Sequence, residues 1–215
     1  MSPTAIESSF FAFVSFTFVL AVTPGATTAV VVRNTLEGGR RAGYMTALGA
    51  AAGSVTIAIS CALGLSILLA IWPRALDAIR IAGAAFLIGL GSMSLYRAWT
   101  KPDGGIRLAG DVGAGPPRSH AGAYFADGLA VHLLSPVLIS YYLSVVPSFV
   151  PANAPRFYFS GLAATHVGIA MMCHAMWATA LDAMRRWLVH PWRRKLLQAA
   201  SGVALIALAT RILLS

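Results

Sequence analysis

The chain has 215 residues, of which 58% are hydrophobic and only 11% charged, with a mean hydropathy of +0.74. Soluble domains carry about 25% charged residues, so this composition excludes an ordinary water-soluble globule and places the chain in a membrane. The net charge of +9 would suit nucleic acid, but the connections between apolar stretches are too short to gather it on one folded face, so no nucleic-acid partner is expected.

Six stretches lack Asp, Glu, Lys and Arg: 8–32, 42–73, 81–96, 128–155, 157–181 and 196–210. Runs such as Ala58–Ile71 show none of the polar–apolar alternation of a barrel strand. The expected class is therefore an all-α membrane protein with six transmembrane helices.

The first span is predicted over 6–34. Its first charge is Glu7 and its apolar run exceeds a signal core, so it reads as a span and not as a secretory signal. Thr23-Pro24-Gly25 interrupts it. Proline lacks the backbone donor and clashes with the preceding turn, and a carbonyl freed within hydrocarbon needs another partner. Arg33, nine residues after Pro24, reads as a lipid-phosphate anchor or a guide for a carboxylate.

The second and third spans are predicted over 41–72 and 76–98. They are rich in small residues: Gly49, Ala52 and Gly53, then Gly83, Gly89 and Gly91. Such residues let helix backbones approach closely. The loop over 99–119, with its Gly, Pro and charged residues, divides the chain. A first three-helix repeat is expected over 1–99, a linker over 100–119 and a second repeat over 120–215.

The fourth span, predicted over 120–147, carries Asp127, His132 and a second break at Ser135-Pro136. The fifth, over 156–184, carries His166, Cys173 and His174, with Gly161, Ala164 and Gly168 as further small residues. The sixth is predicted over 194–214. The small-residue faces permit a homodimer.

Twelve Lys and Arg residues fall in the first, third and fifth connections, and four elsewhere. This asymmetry predicts cytoplasmic odd-numbered loops, with both termini outside. The excess also suits contact with anionic membrane lipids.

Pro24 and Pro136 lie 112 residues apart, and the Gly83 and Gly202 segments align with an offset of 119. Three spans is an odd number, so successive groups enter the membrane from opposite sides. The expected arrangement is two inverted-topology three-helix repeats, and paired breaks in such repeats point to a substrate site.

Thr23, Pro24, Gly25, Ser135 and Pro136 are therefore the candidate substrate-binding residues. The hydroxyls of Thr23 and Ser135 can donate to a freed carbonyl or a substrate carboxylate. A helix starting after each break presents free amides and a positive dipole end to an anion. An amino-acid zwitterion would suit both, with its ammonium on carbonyls. His132 and His166 each fall near mid-membrane, and histidine changes protonation near neutral pH. With Asp127 they are the candidates for proton coupling. Asp127 is equally suited to pairing with Arg33 or Arg118. His174 is placed nearer the cytoplasmic end. No metal site is expected, since Cys173 and His174 diverge by about 100° on a helix. No cofactor is expected either, and neither paired cysteines nor HExxH is present to indicate an enzyme.

Thr23-Pro24-Gly25-Ala26, Arg33, Gly39-Arg40-Arg41-Ala42-Gly43 and Ala47-Leu48-Gly49 with Gly53 resemble the amino-terminal signature of the LysE/RhtB amino-acid exporters. Ile81–Leu87 with Gly91 resembles that family's third helix, and Phe125, Gly128, Ser135-Pro136 and Val146–Phe149 its fourth. The resemblance implies a bacterial inner-membrane protein exporting amino acids or close derivatives, driven by the proton-motive force. Where that family commonly has Pro-Gly-Pro, Ala26 stands third. Where it has Asn-Pro-Lys, this chain has Ser135-Pro136-Val137, and His132 stands where Asn is frequent. An exporter of another solute, such as a metal ion or an acyl-amino-acid signal, and a non-transporting membrane subunit are the alternatives.

Overall fold

The computed structural model describes residues 3–23, 25–63, 74–101, 121–151, 154–155, 157–184, 187 and 190–214. Its regular elements are all helical: α1 (Pro3–Val22), α2 (Ala26–Ala62), α3 (Arg74–Thr100), α4 (Ala121–Leu133), α5 (Pro136–Ser140), a π-helical turn (Tyr141–Val145), α6 (Val146–Ser148), α7 (Tyr158–Ala183) and α8 (Pro191–Leu214). Among the described residues, α2, the Ile81–Thr100 part of α3, α7 and α8 are long and apolar enough to cross a membrane. The pair α4 and Pro136–Ser148, bent by 55°, makes a fifth candidate span. The predicted helix ends at 98, 120, 147, 156, 184 and 214 agree with these bounds to within two residues. The linker over 102–120 and the end of the predicted second span over 64–73 lie outside the described residues.

The chain interrupts its helices where the sequence removes helical hydrogen bonds. α1 ends at Val22, just before Thr23-Pro24, because the residue preceding a proline is pushed out of the helical region. α4 ends at Leu133 for the same reason.

The third interruption lies within α2, where Gly39 adopts φ 75° and ψ −174°. A positive φ of this kind is open to glycine at no steric cost. The chain folds back there. Asn34 Nδ2 donates to Thr46 Oγ1 at 2.9 Å, whereas twelve residues of straight helix would separate them by about 18 Å. α2 is thus a hairpin with a first arm before Gly39 and a second arm after it.

Glycine lets backbones meet at the interior helix crossings. The second arm of α2 lies against α4, where a Cβ on Gly49 would strike the Phe125 carbonyl and one on Gly128 the Thr46 carbonyl. α3 crosses α8 at Gly91 and Gly202, and a Cβ on either would lie 2.8 Å from the other's carbonyl oxygen. Close packing is not the use of every small residue, however. A Cβ on Gly89, Gly161 or Gly168 meets nothing within 4 Å. These three lie on outer faces.

Among the described residues, two large apolar clusters and a small one around Leu36 and Leu181 fill the interior. Phe13, Ile57, Ile139, Tyr142, Val146 and Leu162 form one. Val30, Ala84, Leu87, Val131 and Leu205 form the other. Exposed Phe11, Phe16, Val19 and Met172 face outward, as hydrocarbon-facing side chains do. Arg33 corrects an expectation. It is fully buried, not an interfacial lipid anchor, because the first arm continues past it and carboxylates from two helices meet its guanidinium.

Candidate functional site

Gly25 caps the first break in an extended conformation, φ −121° and ψ −168°, without a side-chain cap. The first intrahelical bond across it runs from the Ala29 amide to the Gly25 carbonyl at 3.0 Å. The amides of the first turn of α2 therefore have no intrahelical acceptor. A Cβ on Gly25 would meet nothing within 4 Å, so the space beside it is open. Pro24 lies outside the described residues. Thr23 is exposed, and its hydroxyl donates to the Val19 carbonyl at 2.9 Å, which already accepts the Thr23 amide.

Ser135 caps the second break, and its Oγ accepts from the Leu138 amide at 3.2 Å. The oxygen of this hydroxyl thus serves the next helix, and the donor role expected of Ser135 falls to its hydrogen. Pro136 is buried at the first position of α5, where its missing N–H costs nothing.

The two breaks meet. Ala26 from the first, with Leu134 and Ser135 from the second, lines one small cavity of about 10 Å³, completed by Gly83, Leu87, Val131 and Ile212. Its volume is that of a single water, so the junction is closed as it stands. Thr27, in the first turn of α2, lies 3.2 Å from His132 Nδ1 through its Oγ1. This contact ties the start of one half-helix to the end of another.

His132 is 5% exposed, as is His166. The His132 ring centre lies 6.4 Å from that of buried His174, so His174, placed by sequence nearer the cytoplasmic end of its span, is in contact with this group. His166 Nδ1 is 2.8 Å from the Tyr142 hydroxyl, and Tyr141 lies with its ring centre 4.7 Å away. The Tyr141 hydroxyl reaches Thr17 of α1 at 3.0 Å. Both tyrosines belong to the π turn, which precedes Pro147. Single π turns of this kind are frequent at functional sites.

Asp127 lies apart from the histidines, in a charged cluster. Its Oδ2 accepts from Arg33 at 3.4 Å and from Asn34 at 3.1 Å. Arg33 also pairs with Glu37 at 3.1 Å and donates to Ser94 at 3.1 Å. Arg97 pairs with the other oxygen of Glu37, and Gln198 donates to Glu37 at 3.3 Å. Of the two pairings open to Asp127 from sequence, Arg33 is the one observed, and Arg118 lies outside the described residues. Sequence reasoning missed Glu37, Ser94 and Gln198. Only the i, i+4 spacing of Arg33 and Glu37 gave a local signal.

Residues 18–215 match the LysE type translocator family. The uncharacterized membrane protein YrhP of Bacillus subtilis is 25% identical over 96% of this chain and 99% of its own length. A leucine efflux protein of Klebsiella pneumoniae is 30% identical over 64% of this chain and 60% of its own. One from Salmonella choleraesuis is 27% identical over 72% and 70%, respectively. No solved structure matches. The family match covers nearly the whole of a chain built from long apolar helices, and on that ground this multi-pass membrane protein belongs to the LysE type translocator family, whose members are transporters and not enzymes.

Proposed function

We propose that the protein exports a small neutral amino acid, or a close derivative, from the cytoplasm of a bacterium by alternating access coupled to proton entry. The substrate site lies where the two breaks meet, at Thr23, Pro24 and Gly25 on one side and Ser135 and Pro136 on the other. The observation that carries this reading is the shared cavity of Ala26, Leu134 and Ser135. Two helices, α2 and α5, begin there, and the positive ends of both dipoles favour a carboxylate. Relatives named as leucine efflux proteins support a neutral, apolar substrate.

The six spans are α1 with the first arm of α2, the second arm of α2, α3, the broken α4–α6 segment, α7 and α8. They form two inverted three-helix repeats. A two-fold axis relating the repeats would bring equivalent residues together where the third and sixth spans cross. Gly91 and Gly202 meet there reciprocally. Their separation of 111 residues is close to the 112 between the prolines. The basic connections put the turn at Gly39, the linker and the α7–α8 turn on the cytoplasmic side. His132 and His166 carry the coupling proton, and the Thr27–His132 contact links that proton to the substrate site.

The test is counterflow in proteoliposomes with an imposed pH gradient, over a panel of amino acids. Movement of neutral aliphatic members, accelerated by the gradient, is expected. Failure of every panel member to move would sink the exporter reading.

A further inference from the structure

Arg33 lies eight residues beyond Gly25, and Asp127 eight residues before Ser135. Along a helix that is roughly 12 Å from each break, on the side of Gly39. We propose that Arg33, Glu37, Arg97 and Asp127 form the cytoplasmic gate of the passage, a charge-balanced latch closed in the state seen here. The assignment of this side to the cytoplasm and of the breaks to the substrate site rests on the function proposed above.

Four physical features carry the inference. Two cations and two carboxylates meet here, and Arg33 is 0% and Glu37 5% exposed. Well-packed apolar side chains of similar volume would often hold helices together as well or better, so a cluster of this kind is a costly way to obtain stability alone.

The latch also ties together elements that must part. Arg33 and Glu37 belong to α2, and Ser94 and Arg97 to α3. Asp127 comes from α4 and Gln198 from α8. The first two elements precede the linker and the last two follow it, so rocking of one half against the other has to separate Arg33 and Asn34 from Asp127, and Glu37 and Ser94 from Gln198.

The cluster is incompletely satisfied. Gln198 is fully buried and its Nε2 reaches Glu37 and Ser94, but its Oε1 has no hydrogen-bond partner among the described residues. A permanent core rarely leaves such an atom unused. A network that exchanges partners has reason to.

Finally, the opposite end is built differently. There α2 and α7 flank an apolar groove of about 280 Å³ lined by Val55, Ile59, Leu63, Phe159 and Val167. That groove shares no lining residue with the cavity at the breaks, so the closed charged end is what describes a state shut toward the cytoplasm. A zwitterion arriving from that side carries one charge of each sign and can exchange with the latch's own guanidinium–carboxylate pairs.

The test is a thiol-accessibility measurement. Ser94→Cys, in a Cys61→Ala/Cys173→Ala background, places a reporter at a position that is 0% exposed. Inside-out and right-side-out vesicles are treated with a membrane-impermeant maleimide. The otherwise unaltered reporter protein should label slowly from both sides. Adding Asp127→Asn, which removes the charge that meets Arg33 from the other half, should raise labelling from the cytoplasmic side at least tenfold and leave the outer side unchanged. Gln198→Leu removes the amide that reaches Glu37 and Ser94 from the other half without changing the charge; it is the milder variant and should give an increase in the same direction in protein that remains monodisperse in detergent. Unchanged labelling in both folded variants, or a rise from the outer side alone, overturns the gate. The readout needs no transport, so a gate that opens in a protein moving no amino acid would refute the substrate reading and leave the gate standing.

Discussion

Replacing Gly91 with alanine tests the helix crossing at the centre of the molecule. The new Cβ would lie 2.8 Å from the Gly202 carbonyl oxygen, against the 3.4 Å at which ordinary contact begins. The obstacle is backbone, so α3 and α8 must separate by about 0.6 Å, the difference between those distances. Overpacking of this kind costs about 1–3 kcal/mol. Gly89→Ala is the control, two residues away on the same helix, where a Cβ meets nothing. Both substitutions gain up to about 1 kcal/mol of helix propensity, which cancels in the comparison. The steric part remains. At roughly 2–4 °C per kcal/mol for a chain of this size, a difference of about 2 kcal/mol places Gly91→Ala some 4–8 °C below Gly89→Ala. Thermal unfolding of purified protein in one detergent, followed by tryptophan fluorescence, measures it. Gly202→Ala should behave like Gly91→Ala. The double variant should lose less than the sum, since helices already separated make room for the second methyl. Equal midpoints for Gly89→Ala and Gly91→Ala would refute the backbone contact.

Gly39→Ala forces a side chain into a left-handed φ of 75° and should lower stability by about 1–2 kcal/mol, read in the same unfolding assay. Ser135→Ala removes the cap on Leu138 and should cost about 1 kcal/mol, which Ser135→Asn restores. Tyr142→Phe deprives buried His166 of its 2.8 Å partner and should cost about 1–3 kcal/mol, again as a lowered midpoint.

The helix ends were legible because they follow local chemistry. Apolar length bounded α3, α7 and α8, and prolines marked both breaks before any tertiary contact was known. The spans read at 6–34 and 41–72 already left a connection around Gly38-Gly39; how sharply the chain reverses there shows only in the Asn34–Thr46 bond. Small residues were read correctly where they face another helix, as at Gly49 and Gly91, but not at Gly161 and Gly168. Composition cannot say which face turns inward. The charged cluster was the largest omission. A charge near a helix end reads equally as an interfacial anchor, and Arg33 becomes a buried ion-pair member only once Ser94 and Asp127 from two other helices join Glu37 of its own. The π turn likewise depends on how Pro147 is accommodated, and without it the neighbourhood of Tyr141, Tyr142 and His166 has no sequence signature.

The central claim is that the two helix breaks form one substrate site. Counterflow of a transported neutral amino acid by the unaltered protein, Pro24→Ala and Pro136→Ala, each at equal and verified insertion in liposomes, tests it directly. Both single variants should lose at least tenfold in rate, because either substitution lets a continuous helix replace a site-facing helix start. Full activity in both would contradict the claim and reduce the breaks to bends in the packing.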